Sequence, residues 1–461
     1  MAIYNLHLPT FQPSFNVSNA DKHEYGEIYT PFPLINKMLD LFDQHVFTDA
    51  NKRWLDAGAG LGYFSIALFD RLNRGLMTAM SDESHRKNHI LKQMIHMIEL
   101  KPSNVAALRE MFGETANIIA CDFCASTNAS TPEYYDYIIG NPPYNSKGMK
   151  KVPTNKALQK KADGNTIWVK FIIKSLILLQ PETGQLCLIV PAIWLKPDKA
   201  GIHKLLTNYK IEKMHCLTGN ETQVAFKGEA QTPTCYFLLT KRDTDKQICL
   251  YDTKRQAYVN FHHNCGEPLP MFGAHLIQKL QPWVAQSGLQ VFKTNMPTVN
   301  SRFTCTLIPE SNAYINITSC VLTGLQPTLL LNYSNIPQAF HGVKKLVLAH
   351  KMYGFPYYDK AGIYGISNRD NYVITGKTDA EFVQLHAFLS TKLALYLFES
   401  TRYRMKYLEK YAFHFIPDVT RLPGFPKNVT EQAVADYFGL DDHDRQHISG
   451  FHKKDYTRFS T

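Results

Sequence analysis

WLDAGAGLG, residues 54–62, decides the fold of this 461-residue chain. Two apolar residues run into Asp56, glycines follow at 58, 60 and 62, and YFSIALF (63–69) then takes on helical texture. A strand that turns on glycines into a helix lets the backbone approach a ligand at the helix N-terminus. Alone, such a turn serves dinucleotides or tight packing equally well. No GxxxxGK[ST] occurs, which removes the phosphate-cradling loop of nucleotide triphosphatases.

Outward from this turn, short apolar runs alternate with helical periodicity from Trp54 to about Leu239, which predicts a parallel sheet wrapped by helices. The expected strands are Trp54–Asp56, Asn117–Cys121, Tyr135–Gly140, Leu186–Val190, Ile211–Leu217 and Thr234–Leu239. Upstream, Thr30 and Pro31 read as N-cap and first-turn residues of a helix that buries Leu34, Ile35, Met38, Leu41 and Phe42. The charged run KRDTDK (241–246) suggests a boundary, giving a first domain over 1–245 and a second, α+β domain over 246–461. In that second domain Tyr314–Thr318 reads as β, 379–400 as helix, and Glu431–Tyr456 as short helices around a turn at Gly439.

The length suits two cores, and 44% hydrophobic with 20% charged residues is ordinary globular composition. The most apolar stretch, Trp168–Leu179, is interrupted by Lys170 and Lys174, so no membrane span is expected. The N-terminus lacks the basic-then-apolar order of a secretory signal. Nine cysteines without framework spacing read as reduced thiols of a cytoplasmic protein, and one CxxC, Cys121–Cys124, without a second pair implies no metal. The net charge is +10, and residues 241–461 hold 25 Lys and Arg against 18 Asp and Glu, so most of the excess lies in the second half. That distribution permits a polyanionic partner.

The chemistry concentrates in Asn141-Pro142-Pro143-Tyr144, placed directly after the strand YDYIIG, where ligands of α/β sheets bind. An exocyclic aromatic amine is a poor nucleophile because its lone pair is delocalised into the ring. Two acceptors on its N–H groups, Asn141 Oδ1 and the Pro142 carbonyl, would localise that lone pair. Consecutive prolines carry no amide donor, which leaves the carbonyl free to face a ligand. Tyr144 offers a face for an extruded base. An Asn-Pro-Pro turn closing a βα connection is the plain alternative, and the glycine turn upstream weighs against it. Glu99, in MIEL, and Asp122, closing NIIAC, sit where strand-end acids could take ribose hydroxyls and an adenine amino group, with Phe123 against the ring.

At these residues the chain resembles the gamma-class N6-adenine DNA methyltransferases of restriction-modification systems, over most of its length. GEIYTP (26–31) resembles their motif ten, LDAGAGLG motif one, MIEL motif two, ACDF motif three and NPPY motif four, in the class-defining order. The resemblance implies a Rossmann-like S-adenosylmethionine-dependent catalytic domain followed by a target-recognition domain, the latter also suggested by KKLVLAHK and FHFIP. It implies that Tyr29, Thr30, Asp56, Gly58, Gly60, Glu99, Asp122 and Phe123 hold the cofactor. Asn141, Pro142 and Tyr144 would be catalytic, and Phe226 would face Tyr144 across a flipped base.

The reaction so implied is in-line attack of adenine N6 on the sulfonium methyl, after extrusion of the nucleotide from duplex DNA. Lys147, Lys150 and Lys151, in a loop with Lys156, Lys160 and Lys161, would contact the DNA backbone, with Arg402, Arg404, Lys406 and Lys410 as further candidates. A monomer is expected, with room for a separate cognate restriction endonuclease. An RNA or other planar-amine methyltransferase is the enzymatic alternative, and a non-catalytic DNA-binding module the other.

Overall fold

A computed structural model describes residues 18, 24–125, 134–146, 165–198, 201–253, 255–296, 305–307, 309, 314–323, 326–350, 355–404 and 407–450. The chain forms two compact units, Met1–Tyr251 with His262–Gly266, and Asp252–Phe261 with Glu267–Thr461.

The first unit is an α/β sheet of Rossmann-like type. Helix α1 (Phe32–Leu39) precedes β1 (Trp54–Asp56), α2 (Tyr63–Gly75), α3 (Glu83–His89), β2 (Ile95–Glu99), α4 (Pro102–Phe112), β3 (Asn117–Ala120) and β4 (Tyr137–Gly140). A short antiparallel pair, β5 (Asn145–Ser146) and β6 (Asn165–Thr166), follows. Then come α5 (Trp168–Leu178), β7 (Gln185–Pro191), α6 (Ile202–Thr207), β8 (Tyr209–Leu217), α7 (Gly219–Ala225), β9 (Thr234–Asp243) and β10 (Gln247–Asp252). Their order in the sheet is β10-β8-β9-β7-β4-β1-β2-β3, parallel except for β9, which runs antiparallel to both neighbours. The chain leaves β1 towards β2 and β3, then returns to β4 on its other side. This reversal is where an open α/β sheet leaves a crevice beyond its carboxyl ends.

Burial explains the strands. Trp54, Leu55 and the β4 residues Ile138 and Ile139 are essentially inaccessible, as expected of strands covered on both faces. Trp54 stacks on Phe47 at 5.4 Å and lies 4.2 Å from the ring of Tyr137, tying β1 to β4 and to the turn after α1. Gly62 is required at the start of α2: its φ is +80°, and a Cβ there would come within 2.8 Å of side-chain carbons of both Leu108 and Phe112. The glycine lets α4 close onto the base of α2.

One detail differs from expectation. Thr30 does not cap α1, because Pro31 occupies the N-cap and the Thr30 hydroxyl turns instead towards Asn141. The segment HRKNHILKQM is α3 continued by a wider π-helical turn over Ile90–Met94, and it runs without a break into β2.

In the second unit, β11 (Ala257–His262) and α8 (Ala274–Gln286) lead to β12 (Phe292–Lys293), β13 (Cys305–Thr306), β14 (Tyr314–Thr323), β15 (Gln326–Ser334), β16 (Lys345–Ala349), β17 (Tyr357–Asp359), β18 (Gly365–Ile366) and β19 (Asn371–Ile374). Two sheets result, ordered β12-β19-β16-β17 and β13-β15-β14-β18. Ile317, Cys320, Val347, Ile366 and Val373, drawn from both, share one core. Helices α9 (Asp379–Leu389), α10 (Lys392–Glu399), α11 (Glu431–Tyr437) and α12 (Asp442–Ser449) complete the unit. Thr378 with Glu381, and Asp441 with Asp444, form reciprocal capping boxes at α9 and α12. Lys345 and Asp359 are buried together at 2.5 Å, and the ammonium also donates to the carbonyls of Phe340 and Val343. That set of partners is what allows a charge to remain in the interior. Among the described residues no helix is long and apolar enough to cross a membrane.

Candidate active site

Beyond the carboxyl ends of β1, β2 and β4 lies a cavity of about 520 Å³. Its wall includes Tyr29, Thr30, Gly58, Gly60, Glu99, Asp122, Phe123, Asn141, Pro142, Tyr144 and Phe226, residues drawn from nearly two hundred positions of chain.

Asn141 sits one residue past β4, and its amide is held in one orientation. Nδ2 donates to the Thr30 hydroxyl at 3.1 Å and to the Ile28 carbonyl at 3.3 Å. Oδ1 is buried and has no hydrogen-bond partner. A buried acceptor left unpaired costs about 1–3 kcal/mol, so it marks a place where a donor is missing. The Tyr144 hydroxyl is likewise buried without a partner, and burial pushes its pKa up. The turn carrying these residues packs against the segment before α1. At Gly26, φ +68°, a Cβ would stand 2.1 Å from the Asn145 carbonyl oxygen, so only glycine permits this approach.

A carboxylate network forms another part of the wall. Glu99, at the end of β2, accepts from the Gly60 N–H at 2.7 Å with Oε2 and from the Lys101 N–H at 2.8 Å with Oε1. Burial raises its pKa against the lowering effect of these two donors. Glu27 accepts from Tyr29 Oη, Lys101 Nζ at 3.1 Å and Asn104 Nδ2 at 2.7 Å. Burial, with Glu27 second, keeps the Tyr29 phenol protonated. Glu27, Lys101 and Asn104 line the cavity and did not stand out in the sequence. The available signal was the alternation in GEIYT, which puts Glu27 and Tyr29 on one side of an extended segment.

The other expected residues divide. Asp122 is exposed and caps its own turn, with Oδ1 accepting from the N–H groups of Cys124 and Ala125 at 2.8 and 3.3 Å. Phe123 is nearly buried, 5.0 Å from the Phe171 ring and under the Lys174 ammonium. Phe226 lines the cavity but is only 3% exposed, embedded in the core cluster just past α7. Asp56 lies behind the wall and does not line the cavity. Its Oδ2 accepts from the Ser65 hydroxyl at 2.8 Å, its Oδ1 has no partner, and burial lifts its pKa from 3.8 to about 7. Lys147, Lys150 and Lys151 lie outside the described residues, as do Lys156, Lys160, Lys161 and Lys406. Among the described residues no group of three or more His, Cys, Asp or Glu side chains could hold a metal.

Residues 37–224 match the family model described as Eco57I restriction-modification methylase. A curated relative, an uncharacterized adenine-specific methylase of Mycoplasma pneumoniae, is 24% identical over a match covering 37% of this chain and 56% of the relative. The chain thus spans little more than half the length of that relative. Among solved structures, the type IIL restriction-modification enzyme MmeI in complex with DNA superposes with a TM-score of 0.49 at 12% identity, covering 96% of this chain and 80% of that one. The type I EcoKI M protein gives a TM-score of 0.34 at 17% identity, over 49% of this chain and 48% of that one. The match to the restriction-modification methylase model spans the glycine turn and the NPPY tetrapeptide and covers less than half of the chain.

Proposed function

We propose that this chain, whose residues 37–224 match a restriction-modification methylase model, transfers a methyl group from S-adenosylmethionine to N6 of an adenine flipped out of duplex DNA. The observation carrying this reading is the Asn141 amide, whose oxygen is buried, unpaired and kept from rotating away by acceptors on its nitrogen.

The residues present suit the cofactor. Glu99 retains lone pairs for ribose hydroxyls after accepting from two backbone amides. Gly58 and Gly60 leave the wall open to close approach, and Asp122 and Phe123, which also line the cavity, are assigned the adenosine. When bound, S-adenosylmethionine supplies an electrophilic methyl on a sulfonium. Asn141 Oδ1 accepts one N6–H of the target base, and the Pro142 carbonyl is assigned the other. Together they draw the amine towards tetrahedral geometry and turn its lone pair outward. Tyr144 supplies the stacking face, opposed by Phe226, and offsets part of the unstacking cost of a few kcal/mol. No general base is needed before transfer, since the proton leaves once N6 is cationic. Residues 246–461 are assigned target recognition, and Lys147, Lys150 and Lys151 the DNA backbone.

Asn141→Ala is expected to lower methyl transfer by about two to three orders of magnitude, as loss of a charge-stabilising hydrogen-bond partner does, while cofactor affinity stays near wild type. Transfer of labelled methyl into duplex DNA, with calorimetry of cofactor binding, measures both. Wild-type rates in the variant, or label entering only structured RNA, would refute the assignment.

A further inference from the structure

In the second unit, four basic side chains gather at one end of the sheet β12-β19-β16-β17. Antiparallel register fixes the end: Ala349 of β16 faces Asn371 of β19, and Lys293 of β12 faces Tyr372. His350, just past β16, and Arg369, just before β19, therefore fall beside Lys293. The segment after α10 closes over the same end, since the Leu408 N–H donates to the His350 carbonyl at 2.8 Å and Tyr372 Oη to the Leu408 carbonyl at 2.8 Å. It brings Arg404.

These cations are held rather than waving in solvent. Lys293 Nζ sits 4.5 Å above the Tyr372 ring and donates to the Arg369 carbonyl. The Arg404 guanidinium lies 4.8 Å over Tyr407, and the His350 ring stands 4.9 Å from the same ring. Two acids face them. Glu409 accepts from Arg404 Nε at 2.6 Å, and Asp370 stands 3.7 Å from His350 Nδ1, a nitrogen that is buried without a hydrogen-bond partner. Among the described residues two carboxylates stand against three charged groups, Lys293, Arg369 and Arg404. Burial leaves Lys293 at about 8, with the charges of Asp370 and Glu409 raising it and those of Arg369 and Arg404 opposing them. Burial and the Lys293 charge hold His350 at about 4.

A fold gains nothing from packing like charges at a partly open edge, unless an anion binds there. The need is for a ligand with acceptors spread over several ångströms, and a guanidinium matches phosphate oxygens with two parallel donors. We propose that this sheet end seats the phosphodiester backbone of duplex DNA, with Lys293, Arg369 and Arg404 on phosphate oxygens and Tyr407 as the platform that aims Arg404. The inference rests on the reading of the chain as a DNA methyltransferase and adds to it which residues of the second unit grip the polymer.

Duplex affinity measured by anisotropy across a salt series tests it. In Lys293→Gln/Arg404→Gln the plot of log affinity against log salt should be shallower by about two, near 0.9 for each phosphate that is no longer neutralised, with cofactor affinity unchanged. Arg404→Lys, which keeps the charge, should retain most of the slope, whereas a folding defect would depress binding in both variants and show in the thermal melt. If the wild type binds duplex and the double variant matches its affinity and slope, the seat is wrong and the methyltransferase reading stands. A wild type with no duplex affinity removes both.

Discussion

The Asn141 amide has two orientations that differ only in which end meets the cavity, and the Ile28 carbonyl with the Thr30 hydroxyl selects one. Thr30 is thus a positioning residue for Asn141 in addition to any contact it makes with a cofactor. Thr30→Val keeps the shape and removes the acceptor. One neutral hydrogen bond is worth about 1 kcal/mol, so single-turnover transfer should slow by roughly five- to tenfold, with cofactor affinity kept and Thr30→Ser restoring the rate. A Thr30→Val enzyme as fast as wild type would show that Asn141 needs no holding. Asp56 offers a second residue-level test. Its carboxyl is raised in the folded state, so the native protein holds a proton that the unfolded chain releases between about pH 4 and 7. Native stability from this group is therefore complete below about pH 4 and declines as pH rises through about 7. Asp56→Asn should flatten that decline in urea midpoints taken at pH 5 and pH 8. A decline of equal size in both proteins would mean that Asp56 is not its source.

At the scale of elements, β1 and its turn were legible in the sequence because each signal there agreed: apolar strand, acid, spaced glycines, periodic helix. Gly62 carries the tightest of these constraints, since both its backbone conformation and the approach of Leu108 and Phe112 exclude a side chain. Gly62→Ala should cost about 1–3 kcal/mol through strain and overpacking, read as a lowered denaturant midpoint. An unchanged midpoint would mean that α4 can retreat freely. Other elements were hidden for physical reasons. The start of strand β2 was one, because Ile90, Leu91 and Met94 lead into it without glycine or proline and periodicity cannot separate helix end from strand. Strand β10 stood behind the charged run KRDTDK, which reads as a linker although it joins two members of one sheet. The misplaced cap at Thr30 has a similar origin: hydroxyl and proline made a cap signature, but the side chain had a better partner 111 residues away.

For the molecule as a whole, tetrapeptide and glycine turn pointed to two walls of one cavity, while the polar scaffold around it depended on contacts no linear pattern encodes. Glu27, Lys101 and Asn104 meet across more than seventy residues of separation. The same holds for Lys293 and Arg404, which became a group only once the second unit's sheet brought them to one edge. The order of the first unit's sheet also bears on how the chain must come off the ribosome. Strand β8 reaches β7 only through β9, which inserts between them from the carboxyl side. A nascent chain with residues only as far as Leu217 exposed has no docking place for β8, and the apolar edge of β7 stays open until Thr234–Asp243 emerges. Phe226, which lends a wall to the cavity, lies between β8 and β9 and packs in one cluster with Tyr236 and Leu238 of β9, so that wall too is fixed only once β9 has docked.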